Sequence, residues 1–143
     1  MDKILHTVDI SASPDVVFEA LTSQEGLANW WTTQVQTGVG DSDDEIQFRM
    51  VEGFNPRMQV TVSEPGHLIR WRCVDGVDDW ADDSFEFRLE ERDGATVLFF
   101  TQHYTEEVDD ETYGRYNFNW GFYLQSLCTY CEKGRGLPFQ PSE

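Results

Sequence analysis

Basic residues are scarce: the 143-residue chain has 10 Lys and Arg against 27 Asp and Glu, a formal charge of −17. Surfaces that neutralise nucleic-acid phosphates or dock on anionic lipid need Lys and Arg, so neither partner class is expected. Long apolar runs are missing too. Nothing approaches the roughly 20 residues of a membrane-spanning helix, and no signal-peptide-like apolar segment follows Met1. Three cysteines cannot close a disulfide set, which predicts a reducing, cytoplasmic location. His6, His67 and His103 lie far apart and show no metal-ligand spacing. Glycine-rich phosphate loops and a Gly-x-Ser-x-Gly turn are lacking, so no cofactor and no catalytic nucleophile is expected.

What the chain does have is aromatic: 14% of its residues are Phe, Trp or Tyr. That is enough to build one real core, and residues 1–143 read as a single domain. Ile4, His6, Val8 and Ile10 alternate with polar neighbours as a first strand. Ser13-Pro14 opens a short helix and Ser23 caps a second, which carries Gly26 as a weak point and runs to Trp31. Two-residue alternation follows: Ile46/Phe48/Met50, Met58/Val60/Val62, Ile69/Trp71/Cys73, Phe85/Phe87/Leu89 and Val97/Phe99/Thr101, with a weaker strand over 33–37. Turns fall at residues 53–56, at Pro65-Gly66 and at Asp93-Gly94. Tyr116, Trp120, Tyr123, Leu124, Leu127, Cys128 and Cys131 recur at helical spacing, capped by Asp110 or Thr112 and ended by Gly134. The expected class is α+β: a curved antiparallel sheet of six or seven strands around a long C-terminal helix, with two short helices after the first strand.

One helix about 10 Å across cannot fill a wide concave sheet without bulky side chains. Trp71, Phe85, Phe87, Phe99 and Trp120 either meet in a solid core or wall a cavity, and spacing leaves both readings open. The stretches Ile10–Leu21, Leu27–Thr32 and Asn119–Leu127 with Glu132-Lys133-Gly134 resemble the helix-grip, START-like superfamily. Within it they are most similar to the branch of the C-terminal domain of the activator of the heat-shock-protein-90 ATPase. Trp120 and Gly121 stand in reversed order relative to that branch's Gly-Trp. The resemblance implies the helix-grip fold and an apolar cavity between sheet and helix, and carries over no catalytic set.

On that basis a small hydrophobic or aromatic molecule is the expected ligand, lined by Trp30, Phe48, Met50, Met58, Trp71, Phe85, Phe87, Phe99, Trp120 and Leu124. One ring of Trp30-Trp31 packs and the other lines the mouth; Trp30 is assigned to the mouth. His103 reads first as a strand-end surface residue and second, with Tyr123, as a polar group inside the cavity. A chaperone-regulating interaction module is the alternative, and a cyclase-like enzyme using His103 or Tyr123 comes third. The domain is expected as monomer or homodimer. Cys128 and Cys131 sit in the wrong half of their helix for a low thiol pKa and read as small buried hydrophobes. Three acidic runs hold 14 of the 27 carboxylates. The second (Asp75–Asp83) and third (Glu106–Glu111) fall at the same end of the sheet and read as solvated loops.

Overall fold

The computed structural model describes residues 2–141. In chain order it comprises β1 (Lys3–Ile10), α1 (Pro14–Thr22), α2 (Gln24–Trp30), β2 (Gln34–Val39), β3 (Glu45–Arg49), β4 (Arg57–Glu64) and β5 (Leu68–Asp75). A 3₁₀ turn (Asp78–Trp80), β6 (Ser84–Arg92), β7 (Ala95–His103) and α3 (Asp110–Lys133) complete it. The seven strands form one antiparallel sheet in the order β1-β7-β6-β5-β4-β3-β2. The two short helices carry the chain from one sheet edge to the other, and the rest is a meander. The expected helix-grip α+β architecture is the observed one.

Local chemistry explains the boundaries. Ser13 Oγ accepts the Val16 amide at 3.4 Å, with Pro14 in the first helical position. Ser23 ends α1 and caps α2 by accepting the Gly26 amide at 2.9 Å. Gly26 is a packing requirement rather than a weak point, because a Cβ there would lie 2.7 Å from Ala20 Cα. This close crossing lets Trp30 Nε1 donate to Ala20 O at 2.8 Å. Asp93-Gly94 forms the tight turn between paired Arg92 and Ala95, both central residues having positive φ. The cap of α3 is Asp109, one residue before the expected Asp110: its Oδ1 accepts the Thr112 amide at 2.8 Å. Those hydrogen bonds hold the Asp109 carboxyl below the usual carboxylate range.

Strand phase is as expected except in β4, where a register shift after Val60 places Val62 opposite the outer-facing Arg70, and in β7. Phe87 pairs with Phe100 and Leu89 with Leu98, so Leu98, Phe100 and Gln102 face the core. Phe99 lies on the outer face, where the Arg88 guanidinium sits 4.2 Å from its ring centroid. The Phe99-Phe100 doublet satisfies either alternation by itself; cross-strand partners decide it. The outer face also carries cross-strand ion pairs, Arg70 with Glu86 at 2.5 Å and Arg57 with Glu45 at 2.5 Å. The weak strand runs over Gln34–Val39, slightly later than expected.

Candidate functional site

Trp120 occupies the middle of α3 and is 3% exposed. Its ring lies 4.4 Å from Phe100, 6.0 Å from Phe85 and 6.0 Å from Trp80, measured between centroids. Trp120 Nε1 donates to Gln102 Oε1 at 2.8 Å, and Gln102 Nε2 donates to Asp83 Oδ2 at 3.2 Å. Asp83 Oδ1 accepts the Thr105 amide at 2.8 Å. This buried relay ties α3 to the starts of β6 and the end of β7. Burial pushes the Asp83 carboxyl above its usual range, opposed by the hydrogen bonds from Thr105 and Gln102. Sequence reasoning missed both residues. Asp83 belongs to a run that otherwise looks solvated, and Gln102 was hidden by the phase error in β7.

On one side of Trp120 the space is full. Phe48, Met58, Trp71, Phe85, Phe87 and Leu124 are all buried there or beside it, with the ring centroids of Trp71 and Phe87 4.8 Å apart, edge to face, and those of Phe87 and Phe100 5.1 Å apart, tilted. These expected lining residues are core: neighbouring strands hold their rings too close for a guest. Trp71 additionally borders a separate recess of about 290 Å³ with Ile46, Val60 and Ile69.

On the other side a cleft of about 390 Å³ remains open. Its floor is Trp120 with Tyr116, Asn119 and Tyr123 from α3, and its walls are Trp31, Met50, Val51, Phe54, Trp80 and Phe139. Of the expected lining residues, Met50 and Trp120 are here, together with the polar candidate Tyr123. Trp30 is not: it is fully buried, its indole fixed to Ala20 O, and Trp31, itself only 2% exposed, lines the inner wall of the cleft instead. A helix exposes one of two successive residues to a given neighbour, and the Gly26 crossing turns Trp30 inward. His103 is exposed on the outer phase of β7 and reaches no cavity.

The cleft is aromatic and poor in chemistry. Phe54 meets Trp80 edge-on at 4.9 Å. The Tyr116 hydroxyl donates to Asp79 Oδ2 at 3.0 Å, and burial together with that hydrogen bond raises its pKa far above the ordinary phenol value. Burial likewise raises Tyr123. Both phenols stay protonated at neutral pH and offer no general base. Lys, Arg and His are absent from the lining among the described residues, so nothing there attracts an anion. Trp80 is buried, and its indole N–H has no partner in the protein. The cysteines are inert: burial pushes Cys73 and Cys128 to about 11 and Cys131 to about 12. Among the described residues no group of His, Cys, Asp or Glu is arranged to hold a metal. No helix is long and apolar enough to cross a membrane. The second and third acidic runs do meet, along a groove bordered by Asp78, Asp79, Asp82, Glu106 and Asp109.

A curved seven-strand sheet closed by one long helix over a partly open aromatic interior defines a START-like, helix-grip domain. The chain belongs to the family described as Activator of Hsp90 ATPase homolog 1-like protein, whose model matches residues 11–132. Among solved structures it is similar to the Aha1 dimer from Colwellia psychrerythraea, at 32% identity and a TM-score of 0.81, covering 95% of this chain and 100% of that one. It shares the fold of DynU16, a protein of the dynemicin biosynthetic locus, at 19% identity and TM-score 0.74 over 95% of this chain and 49% of that one. It also shares the fold of CalU16 from Micromonospora echinospora, at 18% identity and TM-score 0.69 over 94% of this chain and 76% of that one. No curated protein matches the chain.

Proposed function

We propose that this domain binds a small, flat, uncharged aromatic molecule in the cleft between Trp31, Phe54, Trp80 and Trp120. One observation carries the reading: the otherwise filled core stays open at one end, and that opening is walled by rings. Its volume of about 390 Å³ lies within the range of sites that enclose small ligands. Burying ligand surface at about 25 cal/mol per Å² supplies the driving force. The missing basic lining and Asp79 at the rim disfavour acids. No catalysis is assigned, because the cleft holds no group poised as base or nucleophile. Titration with N-phenyl-1-naphthylamine, a small uncharged aromatic dye, tests this: saturable binding that Trp31→Ala weakens is the expected result. Absence of saturable binding by the folded protein overturns it.

Self-association is a second reading with its own support. Phe118 and Phe122, one turn apart on the outer face of α3, are 76% and 46% exposed, and the similar Colwellia protein is described as a dimer. Paired apolar side chains on a strongly charged surface mark contact sites. Sedimentation should show a dimer that Phe118→Ser dissociates; a wild-type monomer at high concentration removes the idea. Regulation of a chaperone ATPase rests on the family's name, and an ATPase assay with the cognate chaperone tests it directly, unchanged turnover counting against it.

A further inference from the structure

The chain after α3 does not simply trail off. Phe139 makes a short parallel bridge with Thr32: its amide donates to Trp31 O at 2.7 Å, and its carbonyl accepts the Thr33 amide at 2.9 Å. Further back, the Leu137 amide donates to Ser126 Oγ at 2.7 Å, and the same hydroxyl donates to Trp30 O at 2.8 Å. Gly136 passes between α2 and α3 where a Cβ would lie 2.5 Å from Asn29 O. This path brings the Phe139 side chain to the cleft as one of its walls. The attachment is polar and local, and Leu137 remains 65% exposed. Segments with few buried apolar contacts open independently of the core.

We propose that residues 135–141 form a releasable strap and that Phe139 sets the size of molecule the cleft admits. With the strap docked, Phe139 faces the indole walls and limits the guest to a small planar ring system. With it released, the cleft loses its Phe139 wall and larger guests enter. Phe139 is therefore a specificity-determining residue, and this assignment rests on the reading of the cleft as a ligand site.

Two measurements separate the strap from that reading. The first compares two uncharged probes, N-phenyl-1-naphthylamine as the smaller and Nile red as the larger, on wild type and Phe139→Ala. The ratio of their affinities should shift toward Nile red by about tenfold, or about 1.4 kcal/mol. An unchanged ratio, with both probes bound, overturns Phe139 as the size determinant. If wild type binds neither probe, the ligand reading fails and Phe139 has no size to select. The second measurement needs no ligand: amide hydrogen exchange at Thr33 and Phe139 in wild type and Ser126→Ala. Both amides should exchange well before those of β6 and β7, and faster still in the variant while β6 and β7 are unchanged. Exchange of Thr33 and Phe139 only together with the core strands would overturn the strap itself.

Discussion

The two sides of Trp120 use the same kinds of side chain and end differently. On the filled side the rings come from adjacent strands in register, with Trp71 opposite Phe85 and Phe87 opposite Phe100. Strand spacing of about 4.8 Å then forces them into contact. On the open side every wall except the helix floor is carried by a connection: Trp31 follows α2, Met50, Val51 and Phe54 belong to the β3–β4 link, Trp80 to the 3₁₀ turn and Phe139 to the strap. Isolated bridges, Thr32 with Phe139 and Val51 with Phe54, tie these segments in place of a continuous ladder, and a gap survives. Polar satisfaction does not follow this division: the Trp120 N–H has Gln102 as acceptor, whereas the buried N–H groups of Trp71 on the filled side and Trp80 at the cleft both lack a partner in the protein, a cost of about 1–3 kcal/mol each.

Substitutions can break this contrast. The largest effect is expected from Phe87→Ala at the filled side, a loss of about 3–5 kcal/mol in urea unfolding. A loss below about 1 kcal/mol would mean that side is not packed solid. Phe54→Ala at the cleft removes a half-buried ring and should cost about 1–2 kcal/mol, while changing N-phenyl-1-naphthylamine affinity more than Phe87→Ala does. Equal stability costs for the two would erase the distinction.

The relay joining the two sides has a pH signature. Asp83 holds its proton more tightly folded than unfolded, so its contribution to stability is greatest in acid. That contribution falls as pH rises from the ordinary carboxylate range through the raised value. Unfolding measured across that window should therefore show a steeper fall for wild type than for Asp83→Asn. Parallel curves would indicate that Asp83 is not the titrating group. The smallest effect belongs to neither side: Leu5→Thr, at a 60% exposed position on β1, should stay within about 0.5 kcal/mol of wild type by the same unfolding assay.

Much of the fold was legible because local chemistry was unambiguous. Ser13-Pro14, Ser23, Asp93-Gly94 and the helical spacing from Tyr116 to Cys131 each specify one conformation. The site was legible only in part. Met50, Trp120 and the polar candidate Tyr123 border the cleft, whereas the tight helix crossing at Gly26 holds Trp30 away from it and leaves the equally buried Trp31 on its wall. Phe99 was misplaced because Phe99-Phe100 fits both phases of a strand, and Phe139 lies in a tail with no periodicity to read.

Hydrophobic period, caps and turns are properties of neighbours along the chain, so the sequence alone determined one antiparallel sheet, two short helices and one long one. Whether an aromatic interior closes or stays open depends on fractions of a ring width between elements far apart in sequence. Only the packed tertiary structure decided that, leaving one side of Trp120 solid and the other a cleft.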